Sequence, residues 1–327
     1  MTLHNSKLVL TMIELKSFFT QHWLYLAVRA ACRINLFDVV EQGTFSKPQL
    51  LDMLNTDKQA TTHLVDALIN HDFLQDSGGL ISLSNLSEQL TESSPNSLKH
   101  ACLLWGGEHM DVWQNLDKTI KNGQPVFPEM FGKGFFDYLY EDETKSNEYH
   151  KAMYEYARDD YQGIHTSIDL SGVSSCADIG GANGALVEQL IGHCPKVKFT
   201  IFDKQDHRGP NVTNVNFVKG DFFDSIPELG EAYLLSRVLH DWNDEIALLI
   251  LKSCFQSLPK GGEVFVIEND LSKLGDGGHL LSLNMMAVCE SFERTQDQYV
   301  RLLNESGFPV ETLKNHNQLL VIKAVKP

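Results

Sequence analysis

From about Leu170 the chain becomes a series of short, nearly continuous apolar runs separated by helical spacers. In order these are CADIG, a helix from Gly184 to Cys194, KFTIFD, VNFVKG, EAYLLSRVL, a helix over Glu245 to Leu258, and GEVFVIEND. Strands without a polar face need cover on both sides, and strands joined through helices run parallel. The pattern predicts an α/β domain over residues 166–327 with a mostly parallel sheet and a ligand at the carboxyl ends of its strands.

At the end of the first of these strands stands DIGGANG, residues 178–184, opening into a helix. Glycines let the backbone turn sharply and let a ligand come close, and the helix start offers free N–H groups. Asp203, 19 residues beyond Gly184, ends the second strand. An acid there can accept hydrogen bonds from both ribose hydroxyls of a nucleoside. The third strand ends in GDFF, where Asp221 and Phe222 can hold an adenine by a hydrogen bond and an apolar face. The spacing Asp178-x-Gly180-x-x-x-Gly184 is not that of a dinucleotide fold, and the loop carries no lysine or arginine for a phosphate. A phosphate-free nucleoside such as S-adenosylmethionine fits better.

The first half is different. Apolar residues recur at helical spacing from Lys7 to about Val40, through Leu8, Met12, Leu15, Phe18, Phe19, Trp23 and Leu26. So broad a stripe is either internal core or a dimer interface. Two short helical patterns follow, then LISLS after Gly78-Gly79, the order of a winged helix. Residues 100–165 read as a helical connector rich in aromatics and methionine, with an irregular NGQPVFPEMFGKG loop in its middle. The expected organisation is a mainly helical winged-helix-like domain over 1–99, a connector and pocket lid over 100–165, and the α/β domain.

Composition narrows the partners. The net charge is −16, and residues 1–95 hold six Lys/Arg against ten Asp/Glu, so the winged-helix region lacks a phosphate-binding footprint. Neither nucleic acid nor an anionic membrane is expected as a partner. The six cysteines, at 32, 102, 176, 194, 254 and 289, form no CxxC pair or zinc spacing and read as reduced thiols. With no secretory pattern and no apolar run long enough to span a bilayer, a cytoplasmic protein is expected.

In this order, DIGGANG, FD, GDFF, LHDWND, VIE and ERT resemble the class I S-adenosylmethionine-dependent O-methyltransferases. More narrowly they resemble the family with an N-terminal winged-helix dimerisation domain, which includes plant phenylpropanoid and flavonoid enzymes and bacterial natural-product enzymes. The likeness covers nearly the whole chain and implies a Rossmann-like catalytic domain, a homodimer, and S-adenosylmethionine as cofactor with S-adenosylhomocysteine as product. It places Gly180 at the methionine part of the cofactor, Asp203 at the ribose, and Asp221 with Phe222 at the adenine, flanked by Ser236, Arg237 and Trp242. The general base falls on His240 and its acidic partners on Glu268 and Glu293. Tyr149, His150 and Met153 in YHKAM, with Met285 in LNMMAV, match substrate-pocket positions. Ala182, Arg237 and Ser282 depart from the commoner pattern, which has glycine, lysine and aspartate there.

Methyl transfer from a sulfonium is an in-line displacement in which alignment supplies roughly 7–11 kcal/mol. A phenol with a pKa of about 10 is scarcely ionised at neutral pH. A neutral imidazole can take its proton during attack, worth about 10²–10⁴-fold. A carboxylate on the other ring nitrogen, from Glu268 or Glu293, fixes the tautomer. Glu293 also stands just before Thr295, an N-cap candidate with Gln298 three residues on. Asp244 and Glu245 suit the start of the next helix. His240-Asp241 has no third ligand at a useful spacing, so no metal is expected. The function expected is O-methylation of a small hydroxylated aromatic or polyketide-like acceptor. The alternatives are a methyltransferase-like enzyme acting on nitrogen or catalysing decarboxylation or hydroxylation, and a metabolite-sensing winged-helix regulator.

Overall fold

The computed structural model describes residues 12–327, with side chains from Leu15 onward. The chain divides into two compact units after Gly106. In the first, the helical run expected from Lys7 to Val40 is α1 (Met12–Phe18), α2 (His22–Arg33) and α3 (Leu36–Glu41). Lys7 and Leu8, and the side chain of Met12, lie outside the described residues. The break between α2 and α3 falls at Asn35, whose φ of 55° is a left-handed conformation that asparagine tolerates.

Next come β1 (Phe45–Ser46), α4 (Lys47–Met53), α5 (Lys58–Asn70), β2 (Leu74–Ser77) and β3 (Leu80–Leu83). β3 pairs antiparallel with both β1 and β2. Gly78 and Gly79, with φ of 67° and 87°, make the tight turn of the hairpin. Helix, helix and hairpin therefore follow in the expected order. Phe37, Leu50, Val65, Leu68 and Ile81 form the core of this unit, and α6 (Lys99–Trp105) ends it.

The second unit begins with α7 (Glu108–Trp113), α8 (Leu116–Asn122), α9 (Phe127–Phe131), α10 (Phe135–Tyr140) and the longer α11 (Glu143–Asp160). The segment expected as an irregular loop contains α9, because Pro128 suits a first helical turn and left-handed Gly132 closes it. After α11 the chain alternates β4 (Ser175–Ile179), α12 (Ala185–Ile191), β5 (Lys198–Asp203), β6 (Asn216–Lys219), β7 (Ala232–Ser236), α13 (Asp244–Ser257) and β8 (Glu263–Asn269). It ends with α14 (Gly278–Cys289), α15 (Gln296–Glu305), β9 (Val310–His316) and β10 (Leu319–Val325).

The seven strands lie in the order β6-β5-β4-β7-β8-β10-β9. The first five are parallel, and β10 runs antiparallel to both β8 and β9. One face of the sheet is covered by α13 and α15, with Tyr233, Leu235, Ile250, Leu251 and Leu302 packed together. The other is covered by α12, where Leu186 and Leu190 meet Ile201, Leu234 and Ile267. A sheet buried on both faces explains the unbroken apolar runs.

One strand is shorter than its sequence suggests. EAYLLSRVL stops as a strand at Ser236, and Leu239–Asp241 form a 3₁₀ turn. Arg237 has a left-handed φ of 52°, which ends the ladder and turns the next amides toward Glu268. Immediately after the turn, Asn243 caps α13 by accepting a hydrogen bond from Ile246 N at 3.1 Å. Asn243→Ala should therefore lower unfolding stability by about 1 kcal/mol and Asn243→Gly by only a few tenths. Urea titration of the two variants checks this, and equal losses would count against a capping role.

Candidate active site

The site is assembled where β4, β5, β7 and β8 end side by side. After β4 the chain makes the loop Gly180–Gly184, with left-handed φ at Gly180 (72°), Ala182 (45°) and Gly184 (79°). A Cβ on Gly180 would lie 2.9 Å from Val238 Cγ2, and one on Gly181 would lie 2.7 Å from the Asp178 carboxyl. The close packing of this loop on its own strand ends therefore requires both glycines. Ala182 N donates to Asp203 Oδ2 at 2.9 Å and Lys204 N donates to Asp203 Oδ1 at 2.6 Å. Each carboxylate oxygen keeps a lone pair for a further donor, as a ribose diol would need.

Asp221, beyond β6, accepts from Phe223 N at 2.9 Å and is paired with Lys204 Nζ at 2.9 Å. It borders a cleft of about 710 Å³ whose walls include Tyr140, Lys204, Gln205 and Gly220. Phe222 lies 3.7 Å from the Cβ position of Gly180. Ser236 Oγ is 2.7 Å from Tyr161 OH, and Arg237 Nη2 donates to Asp160 Oδ2 of α11 at 2.5 Å. Trp242 stacks on Phe136 with ring centroids 5.5 Å apart and meets Phe223 edge-on at 4.8 Å. The seven residues expected at the cofactor thus line the strand ends and the loops that leave them.

His240 is buried in the 3₁₀ turn, and its two expected partners do different things. Glu293 Oε1 is 2.9 Å from His240 Nδ1. Glu268 Oε1 instead accepts from the backbone amides of Val238 at 3.1 Å, Leu239 at 2.8 Å and, more weakly, His240 at 3.4 Å. One glutamate contacts the ring and the other holds the turn. With Glu293 on Nδ1–H, the neutral ring carries its lone pair on Nε2, which is 3.7 Å from Asp241 Oδ1 and beyond hydrogen-bond range.

Burial by itself would lower the His240 pKa, but the carboxylates of Asp241, Glu268 and Glu293 outweigh it and raise it to about 10. Burial raises Asp241 to about 6 and Glu268 to about 7. For Glu293, burial works upward, but the imidazolium and the hydrogen bonds of His240 and Asn269 hold its pKa below the usual range. Within β4, burial raises Asp178 to about 7, with the Asp203 charge adding to it. So many buried acids suit a ligand carrying positive charge, and the sulfonium and ammonium of S-adenosylmethionine meet that requirement.

The expected substrate residues fall on α11 and α14. Tyr149 packs edge-on to Phe135 at 5.4 Å and Phe136 at 6.4 Å, linking it to the Trp242 stack. Burial pushes its phenol well up, with Asp241 adding to this, so the hydroxyl stays protonated. His150 is buried with its ring 3.9 Å from that of His207, and its pKa falls to about 3 through burial. Its carbonyl accepts from Asn183 Nδ2 at 2.9 Å, tying α11 to the glycine loop. Met153 is half-buried on α11 and Met285 is buried on α14. Among the described residues no group of three His, Cys, Asp or Glu side chains is placed to hold a metal ion. No helix among them is long and apolar enough to cross a membrane.

Sequence reasoning missed Asn183, Phe136, Ser291 and Arg294. Ser291 Oγ lies 2.6 Å from His240 O and 2.9 Å from Trp242 O. Arg294, fully buried, donates to Leu239 O at 2.8 Å and Trp242 O at 2.7 Å. The one signal for Arg294 was its place beside Glu293 in ERT.

The doubly covered parallel sheet, the glycine loop with an acid ending the next strand, and a histidine–carboxylate pair beside them define a class I methyltransferase. An O-methyltransferase domain family matches residues 113–309, more than half of the chain, and the chain belongs to it. It is 28% identical over 321 residues to a 3-amino-4-hydroxybenzoate 4-O-methyltransferase of Streptomyces cremeus, covering 92% of this chain and 86% of that one. The crystal structure of human N-acetylserotonin methyltransferase in complex with S-adenosylmethionine is similar with a TM-score of 0.86 and 26% identity, covering 99% of each chain. The LaPhzM structure shares the fold at a TM-score of 0.89 and 22% identity, over 96% of this chain and 98% of that one. The protein is an S-adenosylmethionine-dependent O-methyltransferase.

A group that must be deprotonated to act gains activity as pH rises through its pKa. If His240 is that group, the acid limb of the rate profile should lie above the ordinary imidazole value of about 6.5. In Glu293→Gln, which removes one of the raising charges, the limb should move to lower pH while the plateau rate drops. Steady-state rates from pH 6 to 10 check both, and a limb that stays put in the variant would detach Glu293 from the titrating group.

Proposed function

We propose that the enzyme transfers a methyl group to a hydroxyl of a small aromatic or polyketide-like natural product, with His240 as general base. The observation that carries this reading is the 2.9 Å contact of Glu293 Oε1 with His240 Nδ1. A carboxylate there fixes the tautomer, leaves Nε2 to take the acceptor's proton, and stabilises the imidazolium that results. Glu268 keeps the turn, and hence the ring, in place.

When bound, S-adenosylmethionine supplies an electrophilic methyl carbon on a sulfonium, whose charge also opposes that of a nearby imidazolium. Gly180 borders its methionine part, Asp203 accepts from its ribose hydroxyls, and Asp221 with Phe222 holds the adenine. Ser236, Arg237 and Trp242 flank these. On the acceptor side, Tyr149, His150, Met153 and Met285 offer an aromatic and thioether surface suited to a flat ring. The Streptomyces cremeus relative, a 3-amino-4-hydroxybenzoate 4-O-methyltransferase, supports an aromatic acceptor.

The test is incubation with methyl-labelled cofactor and a panel containing 3-amino-4-hydroxybenzoate, N-acetylserotonin and 1,4-dihydroxy-2-naphthoic acid. The expected product is a labelled aryl methyl ether, and His240→Gln should lower kcat by about 10²–10⁴-fold. Undiminished turnover by that variant would remove His240 from the role of base.

The enzyme works as a cytoplasmic homodimer joined through its first unit. Leu15, Phe18, Phe19 and Trp23 on and between α1 and α2 support this, with Phe19 62% and Trp23 64% exposed. The Phe18 and Phe19 rings lie 6.3 Å apart, and neighbouring exposed aromatics suit burial against a second copy. Phe19→Asp with Trp23→Asp should sediment as a monomer where the parent sediments as a dimer, and an unchanged dimer would refute this interface.

A further inference from the structure

The turn that carries His240 is gripped by the short segment after α14, and the strongest grip belongs to a residue with no assigned role. Arg294 is 0% exposed, and all three of its nitrogens are used. Nη1 donates to Leu239 O at 2.8 Å, Nη2 to Trp242 O at 2.7 Å, and Nε to Asp244 Oδ1 at 2.8 Å. Its guanidinium also lies 5.1 Å from the Phe292 ring and 5.9 Å from that of Tyr299. The carbonyls it binds belong to residues on either side of His240, and its neighbour Glu293 is the residue on the His240 ring.

A buried guanidinium loses much hydration, so its place is justified only by a full set of partners in fixed directions. Here those directions define one geometry for the 239–244 backbone relative to residues 293–294. A lysine at 294 would keep the charge but, as a single point, could not reproduce the three-way fork.

We propose that Arg294 is the positioning residue of this enzyme: through its fork on Leu239, Trp242 and Asp244 it holds the His240 ring in register with Glu293. This rests on the reading of His240 as base for its effect on rate, but not for its effect on the ring. The charged groups facing His240 are Asp241 on its own turn, Glu268 of β8, and Glu293 with Arg237 across the site. None of these changes in Arg294→Lys, so a change in the titration of His240 reports geometry.

The experiment is ¹⁵N NMR of histidine-labelled protein across pH, with thermal denaturation as the folding control. In Arg294→Lys the His240 titration should move down by about one unit or more, toward the ordinary imidazole value. Asp244→Asn, which removes one anchor of the fork on a half-exposed side chain, should move it the same way by less. If Arg294→Lys does not fold, Asp244→Asn carries the test. In turnover assays, Arg294→Lys should lower kcat by about 10²-fold with little change in KM. In a His240→Gln background the same substitution should change nothing further. An unchanged His240 titration in the folded variants, or an equal rate loss in both backgrounds, overturns the proposal. Full activity of His240→Gln alone would overturn the base and leave the NMR result to judge Arg294.

Discussion

Between Val238 and Trp242 the backbone leaves the sheet and can no longer pair with a neighbouring strand, yet it is buried at Val238–His240 and half-buried beyond. Each buried amide or carbonyl left without a partner would cost about 1–3 kcal/mol. The protein meets that demand with side chains: the Glu268 carboxylate takes the amides of 238–240, and Ser291 and Arg294 take the carbonyls of 239, 240 and 242. Because those partners come from β8 and from the segment after α14, the turn cannot shift without breaking bonds to two separate parts of the fold. The rigidity of His240 follows from this satisfaction of its own main chain as much as from the Glu293 contact.

The same arrangement places several acids in a small volume. His240, Asp241, Glu268 and Asp178 all have folded pKa values above their ordinary ones. A group whose pKa is raised on folding favours the folded state at low pH, and that advantage is lost as pH rises through the folded value. For His240 the loss runs from about 6.5 to about 10, and for the three acids it runs from their ordinary carboxylate values up to about 6 or 7. On the reading of His240 as base, the interval in which this site gains activity is also one in which it gives up stability, because a base must lose its proton to act. A cationic ligand relieves both sides of that conflict, because it favours the ionised acids and disfavours the imidazolium.

The sheet was legible from sequence because doubly covered strands have no polar face, and four of the five parallel strands appear as apolar runs, the edge strand β6, NFVK, being only partly buried. The tight Gly180–Gly184 loop was legible because its glycines are needed for reasons the local sequence carries. The roles of Glu268 and Glu293 were not separable, since both are acids after strands or before helices, and only tertiary geometry puts one on a ring and the other on three amides. Arg294 escaped notice because a charged residue in sequence reads as exposed. Nothing local says that three partners from residues 239–244 await it. β9 was missed because it is largely exposed and its composition, VETLKNH, gives neither a clean alternation nor an apolar run; β10, LLVIKAV, does carry an apolar run but no helical spacer precedes it.

Backbone strain points to the same place. Among the described residues, seven other than glycine have positive φ, and four of these are Asn or Asp, which tolerate it. The remaining three are Ala182, Arg237 and Glu290. They stand in the Gly180–Gly184 loop, directly before the His240 turn, and directly before the segment that holds Glu293 and Arg294. Left-handed conformation costs such residues about 1–2 kcal/mol each, and a sequence free to relax would place glycine there. At Ala182 the strain is offset by the hydrogen bond its N–H donates to Asp203, and at Arg237 by the hydrogen bond its N–H donates to Ile267 O at 3.0 Å and a side chain paired with Asp160. The non-glycine side chain at 237, with the Tyr161–Ser236 contact, thus ties α11, which carries Tyr149 and His150, to the strand end beneath His240. The strain at that position is inseparable from the joining of α11 to the turn that carries His240.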